Sequence, residues 1–205
     1  MPERLFRNLA NITVLVRVAL VFVAMVLLDN GNESVRLLSL AALAVALLLD
    51  GFDGYLARKL KIASGIGGAL DTLGDRITEN ALIVFFTYKQ ILPLWFALYF
   101  LVRSFMADFV RRLNFHKGIS TFAINDSLLG KTLVSSKLSR TAYLIAKFLL
   151  FITASALLAK PGLPGVAGTA LRSLFWIVFL FNLLRFLALL YDSRRTLKEY
   201  FYRES

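Results

Sequence analysis

Hydrophobic residues along this chain gather into six long blocks, at about 12–28, 35–50, 70–88, 91–110, 141–159 and 170–191, with polar breaks between them. About 20 residues at 1.5 Å each cross a hydrocarbon layer of about 30 Å, so the pattern predicts six transmembrane helices. The third block is the weakest, because its first half holds Asp71, Asp75, Arg76 and Glu79; it makes sense as a span only if that half faces a polar cavity. Residues 2–11 predict a short interfacial helix leading into the first span. Residues 111–140 read as one longer loop that includes His116, and 160–169 as a turn-rich connector with two prolines and three glycines. No internal repeat, low-complexity stretch or second domain is visible. The expectation is an all-α integral membrane protein: six transmembrane helices, a short N-terminal interfacial helix, and a single domain over 1–205.

Composition agrees. The chain has 205 residues, 58% of them hydrophobic, and a mean hydropathy of +0.69, more apolar than an ordinary soluble domain of this length. With no cysteine a disulfide framework is excluded. The N-terminal stretch has no small-residue cleavage site after it, so the first block is expected to be a retained span rather than a signal peptide.

The net charge is +11, and its distribution changes the picture. The break at Asp29–Ser34 has no lysine or arginine, and the 88–91 turn and the 160–169 connector carry one lysine each. The basic residues lie elsewhere: Arg4 and Arg7; Arg58, Lys59 and Lys61; Arg111, Arg112, Lys117, Lys131, Lys137 and Arg140; then Arg194, Arg195, Lys198 and Arg203. Cytoplasmic loops carry the excess of lysine and arginine. Both termini are therefore expected in the cytoplasm, in a multi-pass protein of the cell membrane, with the surplus charge also attracting anionic lipid headgroups. Nucleic acid is not expected as a partner, since no stripe of basic residues interleaved with exposed aromatics appears.

The chemistry concentrates between Asp50 and Asp75. There the chain reads Asp50-Gly-Phe-Asp53-Gly54-Tyr-Leu-Ala57-Arg58, then eight residues, Gly67, three residues, Asp71, three residues, Asp75. Carboxylates near lipid are costly and mark functional sites. Asp50 and Asp53 are three apart and Asp71 and Asp75 four apart, so each pair shares a helix face. Two such faces turned together would surround one cavity with carboxylate oxygens, hard ligands that suit Mg²⁺, Mn²⁺ or Ca²⁺ rather than Zn²⁺. Gly54 allows a ligand close to the backbone, and Arg58 can clamp a phosphate through two parallel hydrogen bonds. The frame points to a divalent-metal site for a phosphorylated substrate, on the cytoplasmic side.

The pattern D-x2-D-G-x2-A-R-x8-G-x3-D-x3-D resembles the signature of the CDP-alcohol phosphotransferase family, also called CDP-alcohol phosphatidyltransferases. It is matched at Asp50, Asp53, Gly54, Ala57, Arg58, Gly67, Asp71 and Asp75. The resemblance implies a homodimeric membrane enzyme in which the four aspartates hold two Mg²⁺ or Mn²⁺ ions. It implies that Gly54 and Arg58 contact a CDP-linked donor, helped by Ser64 and by the Asn11-Ile12-Thr13 segment. Asp75 is implied as the catalytic base toward an acceptor hydroxyl. The donor is expected to be CDP-diacylglycerol and the acceptor a small, water-soluble alcohol.

The acceptor is read from basic residues. Arg17, Arg103, Lys147 and Arg185 lie inside spans 1, 4, 5 and 6, each roughly 10 Å below the predicted cytoplasmic end. Any one alone could snorkel to the interface; four at similar depth suggest a basic vestibule for an acceptor that carries its own phosphate. Gly130-Lys131-Thr132, with Lys137 beyond it, partly resembles a stretch that follows the fourth span in phosphatidylglycerophosphate synthases. Arg103, Lys131, Lys137, Lys147 and Arg185 are the candidate acceptor-binding residues, with sn-glycerol 3-phosphate the first expectation and inositol 1-phosphate the second. A cation transporter is the alternative class. It would spread carboxylates along a path through the membrane, whereas these cluster at one side. A catalytically dead scaffold would not need all four aspartates.

Overall fold

A computed structural model of the chain describes residues 2–59, 65–116, 127 and 130–202. It contains α1 (Pro2–Asp29), α2 (Glu33–Lys59), α3 (Gly65–Tyr88), α4 (Leu94–His116), a π-helical turn (Gly130–Ser135), α5 (Lys137–Ala159), α6 (Gly165–Asp192) and α7 (Arg194–Tyr202). The described residues are helical with short connections, as the hydropathy blocks predict.

Local chemistry explains several of the boundaries. Asn32 caps α2, its side-chain oxygen accepting from the Ser34 amide at 2.9 Å, and Glu33 sits in the first turn, where a negative charge meets the positive end of the helix dipole. α3 ends in a Schellman motif: Gln90 takes φ 60°, its amide bonds to Thr87 O, and the Ile91 amide reaches back to Phe86 O. Pro93 then opens the next helix.

Two expectations change, and one further element appears. Residues 2–11 do not form a separate interfacial helix; they continue without a break into α1. Nothing between Pro2 and Leu28 interrupts a helix, and proline is at home in a first turn. The 111–140 loop is shorter than expected, because α4 runs on to His116, which ends a helix rather than lying in a loop. Asn114 explains part of that extension: it is buried, donates to Ser193 Oγ at 3.0 Å, and accepts from Thr196 Oγ1 at 2.8 Å. The same bonds hold α7, an element the hydropathy pattern does not announce.

The chain divides into two compact units. The first comprises 1–97 and 151–168, the second 98–150 and 169–205. In the first, α1 packs on α2 and α3. Its inward stripe is Val14, Arg17, Val21, Ala24 and Leu28, all buried, at the three- and four-residue steps of one helix face. Phe86 and Phe151, both buried, stack with centroids 6.1 Å apart. In the second, Ala107, Val110 and Leu189 form a core against which Phe186, Leu190 and Leu197 pack.

The outward faces are apolar too. Leu15, Val16, Phe22, Val23 and Val26 of α1, and Trp176, Ile177, Leu180, Leu184 and Leu187 of α6, are exposed. Helices apolar inside and out belong in lipid. Among the described residues, the helical stretches 12–29, 137–159 and 165–192 are long and apolar enough to cross a membrane. The protein is a membrane protein of all-α class.

Candidate active site

The aspartate frame lies on two consecutive helices. α2 carries the backbone of Asp50, Asp53, Gly54, Ala57 and Arg58, continuing past the apolar run to Lys59; the side chains of these residues lie outside the described ones. Ser64 and the Asn11 side chain lie outside them as well. α3 begins at Gly65 and carries Gly67, Asp71 and Asp75.

Asp71 and Asp75 stand one turn apart on α3, with side chains 42% and 44% exposed. Both meet one buried cation: Arg17 Nη2 lies 2.9 Å from Asp75 Oδ1 and 3.5 Å from Asp71 Oδ1, and the Arg17 side chain is only 2% exposed. The approach is made possible by Gly74. A Cβ there would sit 2.7 Å from Val14 Cγ1 and 3.0 Å from Arg17 Nη2, so the glycine lets α1 lie tightly against α3 and brings the guanidinium up to the aspartates. Thr78, one turn on, turns its hydroxyl back to Gly74 O at 3.0 Å, keeping its own polar group satisfied where it is buried. Glu79 is buried and paired with Arg76 at 3.6 Å. Thr13 lies one turn before Arg17 on α1 and is partly buried.

The donor set fits a hard divalent cation. Asp71 and Asp75 offer carboxylate oxygens that are half open to solvent and already attract a positive group, and the chain has no cysteine to favour a soft metal. Among the described residues there is no group of three or more potential metal ligands.

The second unit gathers part of the predicted acceptor set. Lys147 Nζ lies 5.6 Å and Arg185 Cζ 5.1 Å from the ring centre of Tyr143, two cations drawn to one aromatic face system. The Tyr143 hydroxyl accepts from Asn182 Nδ2 at 2.7 Å, and Asn182 Oδ1 accepts from Tyr99 at 3.1 Å. Arg103 is buried and its Nε has no hydrogen-bond acceptor among the described residues. Lys131 and Lys137 are exposed, in the π-helical turn and at the start of α5. Ser127 donates its hydroxyl to Asp192 at 3.0 Å and accepts from the Gly130 amide at 2.9 Å, tethering the turn to the end of α6. Sequence reasoning missed Tyr143 and Asn182. The available signal was an aromatic one helical turn before Lys147, and an asparagine three residues before Arg185 in an apolar helix.

The sequence model of the CDP-alcohol phosphatidyltransferase family matches residues 7–184. The chain is 29% identical over 116 residues to a CDP-diacylglycerol–glycerol-3-phosphate 3-phosphatidyltransferase of Bacillus subtilis (strain 168), covering 51% of this chain and 60% of that protein. It is 29% identical over 115 residues to a probable phosphatidylglycerophosphate synthase of Mycobacterium tuberculosis (strain ATCC 25618 / H37Rv), covering 55% of each. A cardiolipin synthase (CMP-forming) of Streptomyces coelicolor (strain ATCC BAA-471 / A3(2) / M145) shares 38% identity over 68 residues, 33% of this chain and 32% of that protein. The chain thus spans 55 to 60% of the first two relatives' length. With the family's sequence model matched from the first helix to within α6, and the eight-position aspartate frame intact inside that stretch, the chain belongs to the CDP-alcohol phosphatidyltransferase family.

Proposed function

We propose that the chain transfers a phosphatidyl group from CDP-diacylglycerol to a hydroxyl of sn-glycerol 3-phosphate, giving phosphatidylglycerophosphate and CMP. The observation that carries the reading is the pairing of Asp71 and Asp75 on one face of α3 around a single cationic group, within a frame whose other half lies on α2. The choice of donor and acceptor is supported by the names of relatives from Bacillus subtilis and Rickettsia bellii (strain RML369-C), both CDP-diacylglycerol–glycerol-3-phosphate 3-phosphatidyltransferases.

In this proposal Asp50, Asp53, Asp71 and Asp75 hold two Mg²⁺ or Mn²⁺ ions. When bound, such ions neutralise the pyrophosphate and the charge that grows on the departing CMP. Gly54 and Arg58 hold the donor phosphates, with Ser64, Asn11 and Thr13 toward the nucleotide. Asp75 takes the proton of the acceptor hydroxyl as its oxygen attacks the β-phosphorus. The new bond joins that oxygen to the phosphorus that stays with the lipid; the bond from the same phosphorus to the bridging oxygen breaks, and CMP leaves with that oxygen. Arg103, Lys131, Lys137, Lys147 and Arg185 are proposed to bind the acceptor's phosphate. The proposal includes six spans in the cell membrane, both termini and the aspartate frame on the cytoplasmic side, and a homodimer. A bilayer location suits the chemistry, because the donor's acyl chains stay in lipid while the acceptor arrives from water.

The test is CMP release by the purified full chain in detergent with CDP-diacylglycerol and Mg²⁺ or Mn²⁺. The acceptors offered are glycerol 3-phosphate, inositol 1-phosphate, phosphatidylglycerol, serine and none. Release that requires glycerol 3-phosphate and the metal, and that falls by about 10²–10⁴ in Asp75→Asn, is the expected result. A requirement for another acceptor would replace the substrate assignment, and ion flux without CMP release would replace the reaction.

A further inference from the structure

Arg17 occupies a place where a hydrophobic residue would be expected. It is the one charged member of the buried α1 stripe Val14, Arg17, Val21, Ala24, Leu28. An ionised side chain in such a place is costly unless it is paired. Its partners Asp71 and Asp75 are half exposed while the guanidinium is not, so the cation is fixed in the packing and the carboxylates keep an open side. Gly74, between them in sequence, is the position whose missing Cβ leaves room for Nη2. Three features thus converge on one point: a buried cation, two carboxylates a turn apart, and a glycine that admits the contact.

We propose that Arg17 is the resident counter-cation of the aspartate pair, holding Asp71 and Asp75 together when no divalent ion is bound and setting the ion concentration at which the site fills. The inference rests on the reading of Asp71 and Asp75 as metal ligands. Without Arg17 the two carboxylates would repel each other across one helical turn. With it, they are held close, but part of their charge is already compensated. An incoming divalent ion is attracted by two negative charges and repelled by a fixed positive one within the same few ångströms, where screening by salt is weak. The guanidinium therefore trades affinity for order: the aspartate pair is assembled in advance and binds a metal less tightly than the same two carboxylates would without it.

The experiment measures Mn²⁺ binding to the full chain in detergent, with no lipid substrate, by the electron paramagnetic resonance signal of free Mn²⁺, alongside the melting temperature with and without the ion. Arg17→Met removes the charge and keeps the bulk; Arg17→Gln also removes it and keeps a polar end, and carries the test if the methionine variant does not fold. Arg17→Lys keeps the charge. Both neutral variants are expected to bind Mn²⁺ about tenfold or more tightly, to melt lower than the wild type without metal, and to gain more from saturating Mn²⁺. Arg17→Lys is expected to stay within about threefold of the wild-type affinity. If the wild type binds Mn²⁺ and the neutral variants bind equally or more weakly, the counter-cation role is overturned while the metal reading stands. If neither wild type nor variants bind Mn²⁺, the metal reading falls and this inference with it.

Discussion

At Gln90 the backbone turns into the left-handed region, φ 60°, to close the Schellman motif that ends α3. A side chain with a Cβ resists that conformation by roughly 1–2 kcal/mol, and Gln90 is exposed, so its side chain offers no packing in return. Glycine would relieve the strain and lose some of the gain to the entropy of the unfolded chain. Gln90→Gly is therefore expected to stabilise by about 0.5–1 kcal/mol, and Gln90→Val to destabilise by at least as much; thermal melting in one detergent compares them, and a glycine variant that melts lower would contradict the strain argument. At this scale the sequence was most legible where chemistry depends on spacing. Asp71 and Asp75 fall on one face because four residues make about one turn, and that needs no tertiary information. The partner of Arg17 was not legible, because Asp75 lies 58 positions away. The sequence showed a basic residue at a certain depth, grouped with Arg103, Lys147 and Arg185, while its contact with the aspartates came only from the packing of α1 on α3.

That packing is a property of the helix pair, and it turns on Gly74. In an open helix interior, replacing glycine by alanine stabilises by up to about 1 kcal/mol. At Gly74 the new methyl would stand 2.7 Å from Val14 Cγ1, and a valine on a helix has almost no freedom to rotate away. Gly68, on the same helix, has nothing within 4 Å of where its Cβ would be. The two substitutions should differ in sign: Gly74→Ala destabilising by about 1–3 kcal/mol, Gly68→Ala neutral or slightly stabilising. Melting temperatures of the two variants decide it, and a Gly74→Ala protein as stable as the wild type would mean that α1 and α3 are held by something other than this close approach. Elements longer than their apolar runs were the hardest to foresee. α2 continues to Lys59 through residues that no hydropathy pattern marks as a span. The end of α4 and all of α7 depend on the Asn114, Ser193 and Thr196 bonds, which join residues about 80 positions apart in sequence.

For the molecule as a whole, the proposed reaction requires the aspartate frame to face the compartment that supplies the soluble acceptor, and charge makes that orientation testable. The connections between the six long helices alternate. Those at 30–32, 89–93 and 160–164 carry at most one lysine each. The N-terminus, with Arg4 and Arg7, and the stretches around 58–61, 111–140 and 194–203 hold the clusters of lysine and arginine. Lysine and arginine in short loops fix orientation far more strongly than acidic residues do, so the poor connections should lie outside and the rich ones inside. The chain has no cysteine, which lets a single introduced thiol report its own side of the membrane. Gly31 and Gly162 have nothing within 4 Å of a new Cβ, so cysteine there should disturb no packing. In intact cells, Gly31→Cys and Gly162→Cys are expected to react with a membrane-impermeant maleimide, whereas Lys61→Cys and Lys137→Cys should react only after the membrane is opened. The reverse pattern would put Asp71 and Asp75 on the side away from the cytosolic acceptor and would remove the topological support for the proposed transferase. Labelling at Gly31 but not at Gly162 would instead mean that an odd number of helices cross between them, and the six-span arrangement would fall while the orientation of the aspartate frame stood.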